Sequence, residues 1–160
     1  MTFTVGALPD IYGYRAYDSL GGAQVVVVHD RDTGAVRHVA STSAEDAVRD
    51  AGIVVAATNS ATPVLQTDWL RDDVHVNLLG PKAEGAAEYP ADLVAGASLV
   101  TTDSLAQLRD YGPAAAELDR AVELGRFLAE GMQRPEGRSV FHSVGLAGTE
   151  VALLAAIGDR

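Results

Sequence analysis

A single lysine, Lys82, stands against eleven arginines in this 160-residue chain. The two cations differ in chemistry. Burial can pull a lysine amine toward neutrality, so that it acts as a base, an acid or an imine-forming nucleophile, whereas a guanidinium keeps its charge. Lys82 lies in the loop Gly80-Pro81-Lys82-Ala83-Glu84-Gly85, which follows an apolar run. An exposed loop lysine is the ordinary alternative. Of the four histidines, His29 and His38 fall in a strand-rich N-terminal region, His75 opens an apolar run, and His142 precedes Ser143-Val144-Gly145. No two have the spacing of metal ligands, so no metal is expected. His142 is a candidate proton donor, with a structural histidine as the commoner role. The segment Thr58-Asn59-Ser60-Ala61-Thr62-Pro63 is dense in short donors and acceptors that could contact a ribose or an amide, or could form a polar turn.

These residues need elements to position them. From Thr2 to Ala40 the sequence favours strands at Thr2 to Val5, Arg15 to Tyr17, Gln24 to His29 and Val36 to Ala40, an antiparallel meander. Asp30-Arg31-Asp32-Thr33-Gly34 resembles the start of a calcium loop, but the later ligands are missing and a tight hairpin turn explains it. Thr42-Ser43-Ala44-Glu45 reads as a capping box opening a short helix to about Asp50. Ile53 to Ala57, Val74 to Leu79 and Leu99 to Thr102 are then short apolar runs at helix-sized spacing, the pattern of neighbouring parallel strands. Ser104, after Thr101-Thr102-Asp103, reads as a helix cap. Ala114 to Met132 places Leu118, Ala121, Val122, Gly125 and Leu128 at helical spacing, and Val144 to Ile157 reads as a buried helix. The expected fold is α/β, a partial Rossmann-like parallel sheet plus an N-terminal antiparallel β meander. Residues 1–41, 42–134 and 135–160 form its three parts within one compact unit.

A formal net charge of -10 and no local Lys/Arg cluster oppose a nucleic-acid or anionic-membrane partner. The absence of cysteine removes disulfides and thiolate chemistry and is compatible with a reducing, cytoplasmic location. Met1 to Asp10 lacks the basic start and apolar stretch of a secretory signal, and no apolar run reaches the roughly 20 residues that span a bilayer. In open parallel sheets ligands collect beyond the carboxyl ends of the strands, where the loops at Thr58, Gly80 and Asp103 fall. A dinucleotide fold needs Gly-x-Gly-x-x-Gly, or the same ending in alanine, between its first strand and helix. The sequence contains no such segment.

Taken in order, Ala56-Ala57-Thr58-Asn59-Ser60-Ala61-Thr62-Pro63-Val64-Leu65, Trp69-Leu70, His75-Val76-Asn77-Leu78-Leu79-Gly80, Asp103-Ser104 and Phe141-His142-Ser143-Val144-Gly145-Leu146-Ala147 resemble the ornithine cyclodeaminase/mu-crystallin family. Tyr12 to Asp18 and the Val25 to Ala40 hairpin resemble that family's N-terminal substrate and dimerisation domain. Between this hairpin and the Thr42 helix, full-length relatives carry the rest of that domain and the first βαβ unit with its glycine-rich loop. The resemblance implies a homodimer and NAD(P)-linked chemistry on amino, imino or keto acids. It places Thr58, Asn59, Gly80, Ser143 and Val144 at the nicotinamide end of a cofactor and Arg15 where a substrate carboxylate is held. Lys82 falls where many relatives carry a catalytic aspartate.

Loss of the phosphate loop forfeits several kcal/mol of dinucleotide binding, on the order of three decades in affinity. The expectation is therefore that no cofactor is needed and that any NAD(P) binds weakly. The leading expectation is a homodimer acting on a small carboxylated metabolite by acid/base or imine chemistry without hydride transfer. Lys82 would be base or amine, Arg15 the carboxylate anchor, and Asn59, Ser143 or His142 polar support. The alternatives are an NAD(P)-dependent imine or keto-acid reductase and a non-catalytic ligand-binding or scaffold dimer.

Overall fold

The computed structural model describes the backbone of residues 2–8, 11–17, 24–30, 36–39 and 43–158, and side chains from residue 43 onward except for several positions in the last helix. The expected turn at 31–34, the Thr42 start of the capping box and the Arg15 side chain lie outside the described residues.

The described strands form a nine-stranded sheet and a two-stranded hairpin. Strands β1 (Thr2–Leu8), β2 (Ile11–Tyr17), β3 (Gln24–Asp30) and β4 (Val36–Val39) make the antiparallel meander expected from the sequence. Helix α1 (Ala44–Val48) follows, with Ser43 as its cap, the hydroxyl accepting from the Asp46 amide at 3.1 Å. Next come β5 (Ile53–Ala56), β6 (His75–Leu78), the hairpin strands β7 (Lys82–Ala83) and β8 (Ala86–Ala87), α2 (Ala91–Ala95), β9 (Leu99–Thr102) and α3 (Leu105–Tyr111). The chain ends in α4 (Ala115–Arg120), β10 (Ala121–Glu123), α5 (Leu124–Ala129), β11 (Ser139–His142) and α6 (Ala147–Gly158). Strand order is β10-β9-β11-β6-β5-β1-β2-β3-β4. The first five are mutually parallel, and β1 joins β5 antiparallel through Thr2 opposite Ala56 and Phe3 opposite Val55.

Val54, Ala56, Val76, Leu78, Val100 and Val140 fill the centre of the parallel part, with Val48 of α1 and Leu93 and Val94 of α2 packed into the same core. Burying each such Val or Leu contributes about 1.5–3 kcal/mol, enough to hold four-residue strands that have little intrinsic stability. Ser104 caps α3 by accepting from the Gln107 amide, and Gly112 closes that helix at φ 70°, a left-handed position suited to glycine.

Three elements differ from the sequence reading. β9 does not adjoin β6, because β11 lies between them and pairs with both, Ser139 opposite His75 on one side and Leu99 on the other. The expected helix over 114–132 is broken at 121–123, where β10 covers the outer edge of β9. An open edge of β9 would leave backbone donors and acceptors unpaired, and pairing them outweighs continued helix. The terminal helix starts at Ala147 and is not buried along its length: Val151, Leu154 and Ile157 are 68%, 69% and 60% exposed. No described helix is long and apolar enough to cross a membrane.

Candidate functional site at the strand ends

The carboxyl ends of β5, β6, β9 and β11 meet at one edge of the sheet. Backbone bonds from Leu79 N to Ala56 O (2.8 Å) and from Ser143 N to Leu78 O (3.0 Å) carry the ladder past the last strand residues, so the loops leave in register. Two carboxylates tie these loops together. Glu88, fully buried, accepts from the Thr58 amide at 2.8 Å and the Thr58 hydroxyl at 2.7 Å through Oε2, and from the Gly80 amide at 2.6 Å through Oε1. Asp103 Oδ1 accepts from the Val144 amide at 2.9 Å. Gly80 is needed here because a Cβ would fall on Glu88 Oε2 and Thr58 O.

Lys82 is 1% exposed, although it begins a surface hairpin. Its ammonium donates to Gly80 O at 2.6 Å and lies 4.5 Å from the Tyr111 ring centroid, a cation–π distance. Burial pulls its pKa down, while Glu88 and Asp103 oppose that shift. His142 is fully buried at the end of β11, with its ring 5.4 Å from the Tyr89 ring. Among the described residues neither ring nitrogen has a hydrogen-bond partner, although Nε2 is 3.5 Å from Glu117 Oε2. Burial, helped by the Lys82 charge, pushes the imidazole down to about 4, so His142 is neutral at physiological pH. Glu117 accepts from the Tyr89 hydroxyl at 2.8 Å; burial raises the carboxyl, against the lowering effect of the Tyr89 bond, and Glu84 adds to the rise. Burial raises the Tyr89 phenol as well, with the Glu117 charge adding to it.

Of the residues singled out from sequence, Thr58, Gly80, Lys82, His142, Ser143 and Val144 are brought to this edge. Asn59 is exposed beside Thr58. Arg15 lies on β2, its Cα opposite Thr4 and Val26. Glu88, Tyr89 and Glu117 were not anticipated. A signal for Glu88 exists in hindsight: Gly85, at φ 75°, turns the hairpin that returns Glu88 to Gly80.

A five-stranded parallel sheet with polar loops at its carboxyl edge is a Rossmann-like α/β architecture. The chain belongs to the ornithine cyclodeaminase/mu-crystallin family, whose model matches residues 10–160. A Delta(1)-pyrroline-2-carboxylate reductase from Bacillus thuringiensis is 31% identical over 122 residues, which cover 69% of this chain and 37% of the relative. The chain thus spans less than half the length of that relative. Among solved structures, a probable ornithine cyclodeaminase from Bordetella pertussis matches with TM-score 0.56 at 16% identity, covering 86% of this chain and 73% of that one. The Delta(1)-pyrroline-2-carboxylate reductase of Thermococcus litoralis, in complex with NADH and L-proline, gives 0.52 at 13%, with 86% and 73% covered. An archaeal alanine dehydrogenase dimer with bound NAD gives 0.57 at 16%, with 93% and 77% covered.

These relatives overturn the expectation that no cofactor is needed. The Bacillus relative is named a reductase, and two solved neighbours of the fold hold NADH or NAD.

Proposed function

We propose that the chain contributes the nicotinamide-end and substrate-end part of an NAD(P)-linked reductase of a small imino or keto acid, working as a homodimer in the cytoplasm. The observation that carries this reading is the carboxylate-braced edge: Glu88 holds Thr58 and Gly80 together while Asp103 holds Val144, fixing three loops around one opening. Asn59 and Ser143 lie beside these braced positions, and neither side chain makes a hydrogen bond among the described residues, which leaves them to meet a carboxamide. The fit ends there. The sequence has no Gly-x-Gly-x-x-Gly segment to cradle a diphosphate, and β1 occupies the flank of β5. The diphosphate must then be gripped by groups other than a glycine-rich loop.

When bound, NAD(P)H supplies the hydride. The Lys82 ammonium provides fixed positive charge beneath the edge, favouring a carboxylated substrate. Arg15 is the proposed carboxylate anchor, and neutral His142 keeps the floor uncharged. The exposed apolar Val151, Leu154 and Ile157 of α6 support association with a second copy.

The test is reduction of Delta(1)-pyrroline-2-carboxylate and of pyruvate with ammonia, followed by NADH or NADPH absorbance, together with fluorescence titration of each nucleotide. Saturable nucleotide binding and substrate-dependent oxidation, with Asn59→Ala raising KM for the nucleotide about tenfold, are expected. Absence of any saturable nucleotide binding at millimolar concentration sinks the reading. A ligand-binding dimer without turnover is the second reading, favoured by the near-complete enclosure of Lys82 and His142.

A further inference from the structure

Beside the β7–β8 hairpin lies an open cleft of about 350 Å³, lined by the loop at 61–63, the hairpin, and residues at the start of α2 and along α4. Thr58, Gly80, Lys82, His142 and Val144 do not line it, so it opens beside the strand-end edge, with which it shares the 61–63 loop and the hairpin. Its volume sits at the small end of ligand sites, which run roughly from 300 to 1,000 Å³. Pro63, Ala87, Ala91 and Ala114 give it a smooth apolar wall of short side chains. Its polar groups are the Glu117 carboxylate, the Tyr89 phenol and, on the turn of the hairpin, Glu84. No lysine or arginine is among the lining residues.

Glu117 is 91% buried, at 9% exposure, yet among the described residues no lysine or arginine pairs with it. Its contacts are the Tyr89 hydroxyl at 2.8 Å and the neutral His142 ring at 3.5 Å. A buried carboxylate with one neutral donor and no countercharge is costly to keep, and the cost falls when a cation reaches it. The open side of Glu117 faces the cleft, so the cation can come from there.

We propose that this cleft binds a small alkylammonium compound, its nitrogen donating to the Glu117 carboxylate and the Tyr89 phenol oxygen and its short hydrocarbon part lying on the alanine wall. Glu84 adds negative field at the mouth. An anion would meet two carboxylates, and a neutral alcohol would leave Glu117 without a countercharge. Burial raises the Glu117 carboxyl above its usual range, against the lowering effect of the Tyr89 hydrogen bond, and Tyr89, His142 and Glu84 are the neighbouring titratable groups. The inference adds a neighbouring site and does not require the reductase reading.

The full chain is titrated with n-butylammonium, n-butyrate and 1-butanol, with binding followed by saturation-transfer NMR and calorimetry. Saturable millimolar or tighter binding of butylammonium alone is expected. Glu117→Gln, which keeps the Tyr89 partner but lacks the charge, weakens it at least about tenfold. Ala91→Leu, which narrows the cleft from an exposed helix position, weakens it without touching Glu117. Circular dichroism confirms that each variant is folded. No saturable butylammonium binding to the unaltered chain, equal binding of butanol or butyrate, or unchanged binding in both variants overturns the proposal.

Discussion

Glu88 Oε2 accepts both the amide and the hydroxyl of Thr58, at 2.8 and 2.7 Å, so one buried carboxylate oxygen sets where the chain leaves β5. The other oxygen takes the Gly80 amide at the end of β6. Two parallel strands separated by a long crossover are thus joined at their tips by a side chain from a third segment. This brace gives the open edge its geometry before anything binds there.

Gly80→Ala drives a methyl group into Glu88 and Thr58 and is expected to cost about 3 kcal/mol through overpacking and loss of bracing hydrogen bonds. At roughly 2–4 °C per kcal/mol for a chain of this size, the melting temperature should fall by roughly 6–12 °C. Glu88→Gln presents an NH2 group to one of the three donors and should cost about 1–3 kcal/mol. Differential scanning calorimetry of both variants checks this, and unchanged melting for both would show that the brace contributes nothing.

His142 makes stability depend on pH. Its folded pKa, about 4, lies below the unfolded value near 6.5, so the unfolded chain binds more protons between those limits. Its contribution is fully present above pH 6.5, is lost as pH falls toward 4, and amounts to about 3 kcal/mol at the full shift. The facing groups are Lys82, Glu117 and Tyr89, and Glu117, raised by burial, acts in the opposite sense. Denaturant midpoints across this range should slope less in His142→Phe than in the parent. In Lys82→Met, removal of the cation that lowers His142 should move its NMR titration midpoint upward. Parallel pH profiles for His142→Phe and parent would rule out a neutral buried imidazole.

Arg120, at the end of α4, donates to the carbonyls of Val94, Ala95 and Ala97 where α2 ends. The Val94 carbonyl also accepts from the Ala97 amide at 3.2 Å, and the guanidinium opposes the negative end of the helix. Arg120→Met, which retains the hydrocarbon stem, should cost about 1–3 kcal/mol in urea denaturation. Hydrogen exchange should rise first in residues 91–97. A loss confined to residues 115–120 would place the role of Arg120 within its own helix instead.

Much of the frame was legible beforehand. The apolar runs at Ile53 and Val74 form parallel strands as read, although within β5 and β6 only Val54, Ala56, Val76 and Leu78 are fully buried, and Ser104 was readable as a cap because its hydroxyl serves a donor three residues away. The four residues of β11 carried no such local mark. Their pairing partners in β6 and β9 are 64 and 40 residues away, and insertion between those strands is decided by the sheet. β10 was hidden for a similar reason, since Ala121 and Val122 fall at helical spacing with Leu118 and Gly125 until an unpaired neighbouring edge makes strand pairing worth more.

Local order therefore determined the family resemblance, the alternation of strands and helices, the helix caps and the placing of Thr58, Gly80 and Asp103 after strands. Tertiary structure alone decided that Lys82 is enclosed beside the Gly80 carbonyl, that His142 lacks hydrogen-bond partners among the described residues, and that Glu88 and Glu117 are buried. The physical reason is that desolvation and hydrogen-bond satisfaction belong to the space around a group, and that space is filled by residues distant in sequence.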